Sequence, residues 1–147
     1  MKLLFTILLI SSSIIFAQND NSENQNKTGS SAEWIAPASA KKLNNPLSGL
    51  SEATIKGEKL FEQNCTTCHG NSGKGDGPTA DMLDTKPANL MSSKVQKESD
   101  GALFWKITTG KGAMASYKKD LSEEQRWQLV NYVRKLGRDS VKQNKQK

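Results

Sequence analysis

The sequence predicts an all-α fold with three main helices, and the pattern of apolar residues in three stretches supports this prediction. The first stretch, from Glu52 to about Asn64, leads directly into the run Cys65-Thr66-Thr67-Cys68-His69. The second extends from Gly101 to Thr109, and the third from Glu123 to Leu136. Each stretch places its apolar residues on one side at helical spacing, and none supplies the βαβ context of a parallel sheet.

The run Cys65-Thr66-Thr67-Cys68-His69 has the clearest chemical meaning in the sequence. In a helical backbone both thiols and the imidazole would share one face, because residues three and four positions apart lie on the same side. This spacing is typical of a covalently attached c-type haem, in which two cysteines form thioethers and the histidine binds the iron. A zinc site needs four ligands, but the chain has two cysteines and one histidine. A thioredoxin-like pair or a plain disulfide stays open, although a disulfide leaves His69 without a role.

Composition favours a small exported domain over a protein that binds nucleic acid. Of the 147 residues, 35% are apolar and 6% aromatic, so the side chains alone form a thin core that a buried haem would complete. The formal net charge of +6 suits an acidic protein partner or an anionic membrane surface. Basic and aromatic residues do not interleave along one face, which argues against nucleic acid as a partner.

The start of the chain predicts export. Residues 1–17 have the pattern of a signal peptide, with a basic start, an apolar run and a small residue at Ala17. Cleavage after Ala17 would release the protein into the periplasm, but the large Ile15 also allows an uncleaved N-terminal membrane tether. Residues 18–31 are polar and predict a disordered linker.

Two further segments flank the predicted domain of residues 51–137. Residues 32–50 contain apolar residues scattered around Pro37 and Pro46, which forbid a long helix, and predict an extended arm lying on the domain. An exposed linker is the alternative for this segment. Residues 138–147 follow the glycine that is predicted to end the last helix, and we expect them to form a basic disordered tail.

Caps and glycines indicate where the helices begin and what they contact. Ser51 and Asp100 are predicted to cap the first two helices, and Ser122 forms a capping box with Gln125 at the start of the third. Gly57 is unfavourable inside a helix and predicts that another element approaches closely.

The connections and the last helix complete the prediction. Residues 70–78 are rich in glycine and predict a tight loop, whereas residues 90–98 are weakly patterned and predict irregular structure. On the last helix, we expect Arg126, Arg134 and Lys135 on the side that faces water.

Taken together, these features resemble the class I monohaem cytochromes c, specifically the small secreted bacterial members. The resemblance covers about Ser51 to Gly137 and implies a cytochrome c-like fold, in which three main helices surround one covalently attached haem c. In that family the first and last helices cross closely, and a glycine makes room for an aromatic residue of the other helix. Gly57, Phe61 and Tyr132 fit those positions.

The resemblance also implies that a methionine sulfur binds the iron opposite His69. The family places this ligand just before the last helix, where Met114 lies. Met82 is too close to His69 in the sequence, and Met91 lacks the flanking pattern. The family often has proline after this methionine, and Ala115 in that place predicts a ligand that is easier to displace.

A proline carbonyl completes the site that the resemblance implies. In the family, such a carbonyl accepts the hydrogen of the second imidazole nitrogen, and Pro78 is the predicted acceptor for His69. The iron ligands are then His69 and Met114, and the haem-binding residues are Cys65, Cys68, His69, Met114 and Pro78.

These features predict an electron carrier that shuttles single electrons between redox proteins without transforming a substrate. Three lysines near the haem edge, Lys111, Lys118 and Lys119, are expected to steer an acidic partner. One alternative is a fixed subunit of a respiratory or dehydrogenase complex, docked through the arm of residues 32–50. Another is a haem that reacts with small ligands or peroxide after Met114 leaves the iron.

Overall fold

The computed structural model describes residues 33–146, and the predicted signal peptide and the predicted linker of residues 18–31 lie outside them. The all-α prediction is confirmed. In chain order the helices are α1 (Ala38–Lys41), α2 (Ser51–Asn64), α3 (Thr66–His69), α4 (Ser93–Gln96), α5 (Asp100–Thr109) and α6 (Glu123–Lys145), with a 3₁₀ turn at Ala80–Met82. Between residues 33 and 146, the only β-type pairing is an isolated antiparallel bridge between Lys111 and Met114.

The close crossing of α2 and α6 is the central contact of the domain. A Cβ atom on Gly57 would lie 2.0 Å from the backbone oxygen of Gln128, so only glycine allows the two helices to approach this closely. One turn further along α2, the Phe61 ring lies 5.1 Å from the Tyr132 ring, centroid to centroid. The predicted contact between Gly57, Phe61 and Tyr132 is therefore confirmed.

Helix α6 contributes to two of the three clusters of the hydrophobic core. One cluster joins it to α4 and α5, and here the rings of Phe104 and Trp127 stack with centroids 4.0 Å apart. The other cluster joins α6 to α2 and includes Leu121 before the helix. Its buried members are Phe61, Leu121, Leu129, Tyr132 and Leu136. Helix α6 is therefore buried on two sides.

The caps agree with the sequence at α6 but differ at the other two main helices. Ser122 Oγ accepts the backbone N–H of Gln125, and the Gln125 side chain accepts the backbone N–H of Ser122, as predicted. At α5 the cap is Ser99, not Asp100, because the Asp100 carboxylate forms an ion pair with Arg134 instead. Helix α2 begins at Ser51 itself and has no side-chain cap.

The end of α6 corrects the prediction for residues 138–147. The helix continues past Gly137 to Lys145, so this segment is helical over most of its length and not a disordered tail. Gly137 lies inside the helix, in close contact with the side chain of Gln96 from α4. Ser140 Oγ also donates to the Gly137 carbonyl at 2.8 Å, which supports the additional turn. Helix α4 itself lies within residues 90–98, which the sequence predicted to be irregular.

Residues 33–50 pack on α5 and α6 and contain the one helical turn of α1. Ala36 and Ala40 are buried against Ala102, and the Trp34 ring lies 6.2 Å from the Trp105 ring. The segment is thus not extended throughout, because the four residues after Pro37 are helical.

A polar network fixes the second half of the same segment. Asn45 Nδ2 donates to Asp100 Oδ2 at 3.0 Å and to Asn131 Oδ1 at 2.8 Å. Asn131 Nδ2 in turn donates to the Leu47 carbonyl at 2.6 Å. These bonds join residues 45–47 to the start of α5 and the middle of α6.

Candidate functional site

The two cysteines and the histidine lie on a single helical turn at the end of α2. The carbonyl oxygen of Cys65 accepts the backbone N–H of Cys68 at 3.2 Å and that of His69 at 2.8 Å. This turn gives the three side chains the common face that their spacing predicts. Both cysteines are half-buried free thiols, so neither is tied up in a disulfide.

Burial sets the protonation of this turn before any haem is attached. It raises the pKa of the Cys65 thiol to about 12, with a smaller contribution from the neighbouring Cys68. It also lowers the pKa of His69, although the hydrogen bond to a backbone carbonyl acts in the opposite direction. The imidazole is therefore neutral at pH 7, which is the form that binds a metal.

The orientation of His69 is fixed by the carbonyl oxygen of Ala88, which lies 3.1 Å from Nδ1. A neutral imidazole that donates from Nδ1 has its lone pair on Nε2, which is the nitrogen available for an iron. The two thiols, the neutral imidazole and its carbonyl acceptor thus match the donor set of a covalently attached haem.

The predicted role of Pro78 is wrong, because Ala88 provides the carbonyl that the sequence analysis assigned to it. The residues around Pro78 bond to the backbone of the cysteine turn and not to the imidazole. Gly77 N–H donates to the Cys68 carbonyl at 3.1 Å, and Thr79 N–H donates to the Thr67 carbonyl at 3.0 Å. The sequence signal that could have identified Ala88 is Pro87, a second proline after His69.

The segment that carries Ala88 is held by backbone bonds, and we call residues 70–92 the histidine loop. Gly75 N–H donates to the His69 carbonyl at 2.8 Å, and Leu90 N–H donates to the Gly73 carbonyl at 2.7 Å. A Cβ atom on Gly75 would lie 2.3 Å from the carbonyl oxygen of Pro87. The two arms of the loop therefore lie in direct backbone contact beside His69.

Met114 lies in a second loop, residues 110–121, which we call the methionine loop. Lys111 and Met114 exchange two backbone hydrogen bonds of 3.0 and 3.1 Å, and the Met114 side chain is half-buried. Of the other candidates, Met82 is 75% exposed, whereas Met91 is partly buried and packs against the cluster between α2 and α6, as Cys65 does. The role of Met114 as iron ligand stays a prediction.

Tyr117 connects the methionine loop to the cysteine turn. Its hydroxyl donates to the carbonyl of Asn64, the residue before Cys65, at 2.8 Å, and its backbone N–H donates to the Ile107 carbonyl at 3.2 Å. Burial raises the pKa of Tyr117, and the neighbouring Cys65 and Cys68 add to the shift. The ring therefore lies next to the place where the haem is attached.

Other metal sites and a membrane span find no support in residues 33–146. No group of three or more histidine, cysteine, aspartate or glutamate side chains in this range is arranged to hold a metal ion. None of the helices described is both long enough and apolar enough to cross a bilayer.

Three comparisons relate the chain to known proteins. A family model described as cytochrome C oxidase, cbb3-type, subunit III matches residues 52–133. Cytochrome c6 of Leptolyngbya boryana is 31% identical over 77 residues, which make up 52% of this chain and 85% of that protein. A chain of the Kuenenia stuttgartiensis reducing HAO-like protein complex superimposes with a TM-score of 0.58 and 31% identity, over 64% of this chain and 49% of its own. The present chain thus spans about half the length of that solved relative.

Proposed function

The chain belongs to the cytochrome c family whose model is described as cytochrome C oxidase, cbb3-type, subunit III, and from this premise we propose that it is a periplasmic electron shuttle with His69 and Met114 as iron ligands. It is a class I monohaem c-type cytochrome, and its haem c is covalently bound. When bound, haem c supplies an iron that alternates between the ferrous and ferric states.

The observation that carries the proposal is the turn at the end of α2. Two free thiols and one neutral imidazole share its face, and the Ala88 carbonyl orients the imidazole. Cys65 and Cys68 are the residues for the two thioethers, and His69 Nε2 is the nitrogen for the iron. A ring held through two cysteines and one histidine needs little rearrangement between oxidation states, which suits electron transfer.

The position of Met114 supports the second half of the ligand set. It lies between α5 and Tyr117, whose ring is next to both cysteines, so its loop reaches the neighbourhood of the haem. Met91 is the competing sulfur, because Met91 and Cys65 pack against the same cluster. A sulfur ligand opposite histidine favours the reduced iron and raises the reduction potential.

The ligand set is tested with the visible spectra of the ferric and ferrous holoprotein. We expect a weak band at the red end of the ferric spectrum, which reports an iron–sulfur bond. The band should disappear in Met114→Leu and persist in the matched controls Met91→Leu and Met82→Leu, while the haem stays attached in all three. Loss of the band in Met91→Leu, and not in Met114→Leu, would contradict the proposed ligand.

Surface charge supports recognition of an acidic redox partner. Lys118 and Lys119 are exposed directly after Tyr117, on the side of the methionine loop that leads to α6. Exposed lysines steer a partner of opposite charge, and salt weakens this effect because it screens the charges. The rate of reduction by an acidic donor should therefore fall as ionic strength rises, and a stopped-flow rate that does not depend on salt would exclude the steering.

A second candidate function is that of a fixed subunit in a larger redox complex. The matching family model is described as an oxidase subunit, and the solved relative belongs to a complex. Residues 33–50 would then be the segment that docks the chain to its complex. They lie outside residues 52–133, the range that the family model matches. Gel filtration of a native extract separates the two functions, since a shuttle elutes at its own mass and a subunit elutes with its complex.

A further inference from the structure

Arg126 on α6 is buried, although the sequence predicts it on the side that faces water. Only 8% of the residue is exposed, and Arg126 forms no ion pair in the described part of the chain. Its Nη1 atom donates instead to three backbone carbonyl oxygens of the methionine loop. The acceptors are Tyr117 at 3.3 Å, Lys118 at 3.1 Å and Leu121 at 2.7 Å.

The surroundings of this guanidinium are otherwise apolar. Its central carbon lies 5.2 Å from the centroid of the Phe104 ring, which stacks on Trp127. The Nε atom is buried and has no hydrogen-bond partner. A buried charge is costly unless polar groups surround it, and here those groups are carbonyls from one short segment. The charge therefore holds that segment in one position, because any displacement leaves the guanidinium without acceptors.

The segment concerned begins three residues after Met114. On the side toward α5, the loop is fastened by Ser116 Oγ, which donates to the Thr108 carbonyl at 2.7 Å, and by the backbone of Tyr117. On the side toward α6, the bonds from Arg126 join residues 117–121 to the helix. The arginine thus acts as the second of two attachments of the methionine loop.

We propose that Arg126 is a positioning residue that keeps the methionine loop closed over the haem iron. The inference rests on the proposed function, in which Met114 is the second iron ligand. Without the bonds from Arg126 the loop opens more often, Met114 leaves the iron more often, and an external ligand enters. Arg126 would then decide whether the site is a closed electron carrier or an open haem that binds small ligands.

A second arginine of the same helix provides a matched control. Arg134 also bonds to backbone carbonyls, those of Gln96 and Glu98, and pairs with Asp100 at 2.7 Å. Arg134 fastens the connection between α4 and α5. Among residues 33–146, none of its hydrogen bonds goes to the methionine loop. Arg126→Gln and Arg134→Gln therefore remove the same group from the same helix, but at different attachments.

The test uses the ferric holoprotein and imidazole as the external ligand. We expect the rate of imidazole binding to rise about tenfold or more in Arg126→Gln, because charge-assisted hydrogen bonds hold the loop, and to change far less in Arg134→Gln. When Arg126→Gln is unfolded with the denaturant guanidinium chloride, its red band should vanish at a lower denaturant concentration than its helical circular dichroism signal. In wild type and Arg134→Gln the two signals should vanish together.

Each outcome decides the matter. The proposal is wrong if the two variants bind imidazole at equal rates. It is also wrong if the red band and the helical signal of Arg126→Gln shift together, because Arg126 would then only stabilise the fold in general. If Arg126→Gln yields no holoprotein, Arg126→Lys replaces it, since lysine keeps the charge but loses the planar fork, and a rate equal to wild type would overturn the proposal. A wild-type protein without the red band would instead contradict Met114 as an iron ligand. The proposal that Arg126 keeps the methionine loop closed would then fall as well.

Discussion

Different parts of the chain hold the histidine loop and the methionine loop in place. The histidine loop is held by its own backbone, with Leu90 N–H bonded to Gly73 and Gly75 in contact with Pro87. The methionine loop has one short backbone bridge between Lys111 and Met114, and the backbone N–H of Tyr117 also donates to the Ile107 carbonyl. The side chains of Ser116, Tyr117 and Arg126 add further hydrogen bonds.

This difference teaches which of the two loops can be loosened by deleting a side chain. The bonds that join the two arms of the histidine loop are backbone bonds, and the side chains of Thr79 and Gln96 add hydrogen bonds to the carbonyls of Thr67 and Leu90. Deletion of a side chain should therefore leave the contact between the two arms in place. The methionine loop depends on three side chains that can be deleted, those of Ser116, Tyr117 and Arg126. We therefore expect changes in the histidine loop to affect folding and changes in the methionine loop to affect ligand exchange.

The largest effect is expected from a matched pair of glycine substitutions, one in each loop. Gly75 and Gly112 both have positive φ, +80° and +58°, so alanine costs about 1 kcal/mol of backbone strain at either position. At Gly75 the new Cβ would also lie 2.3 Å from the Pro87 oxygen, whereas at Gly112 nothing lies within 4 Å. We expect Gly75→Ala to lower the free energy of unfolding by about 3 kcal/mol or more.

The free energies of unfolding of the two holoproteins are measured by unfolding them with guanidinium chloride and following circular dichroism. Gly112→Ala is the control, and its free energy of unfolding should fall by only about 1 kcal/mol. Equal losses in the two variants would mean that the histidine loop is not held by backbone contact.

A smaller effect is expected from Tyr117→Phe, which removes the hydrogen bond to the Asn64 carbonyl and keeps the ring. A bond of this kind contributes about 1 kcal/mol, so the imidazole-binding rate should rise about fivefold. The measurement is the same ligand-binding assay, with the helical signal as a check on folding. A drop in global stability with no change in the binding rate would contradict the division between the two loops.

The smallest effect is a pH dependence at the crossing of α2 and α6. Burial, and secondarily the Glu58 carboxylate, raises the pKa of Tyr132 above its ordinary value of 10.0. The unfolded chain then loses this proton at a lower pH than the folded protein, so stability is full below pH 10 and falls as the pH rises further. Tyr132→Phe should flatten this part of the stability profile and leave the imidazole-binding rate unchanged. A profile identical to wild type would show that Tyr132 does not contribute.

The sequence predicts the parts of this protein whose geometry is local. The cysteine turn and the capping box at Ser122 follow from residue spacing, the crossing at Gly57 is implied by the family resemblance, and the structure agrees with each. Helical periodicity also predicts the three main helices, because each buries one apolar side.

The parts that the sequence did not predict depend on distant contacts. The acceptor of His69 is the carbonyl of Ala88, 19 residues away along the chain, and not that of Pro78, which the resemblance implied. Arg126 has the character of a surface residue and is buried only because three carbonyls converge on it. Gly137 has the sequence of a helix end, but contact with Gln96 keeps it within the helix.

The polar network around Asn45 means that the family match does not mark the edge of the folding unit. A polypeptide shortened to start at Ser51 would strip Asn131 and Asp100 of amide partners that they hold at 2.8 and 3.0 Å. The shortened chain would leave these groups without hydrogen-bond partners and would also expose Ala102 on α5. The smallest autonomous version of this cytochrome should therefore begin near Glu33, some twenty residues ahead of the shared family region.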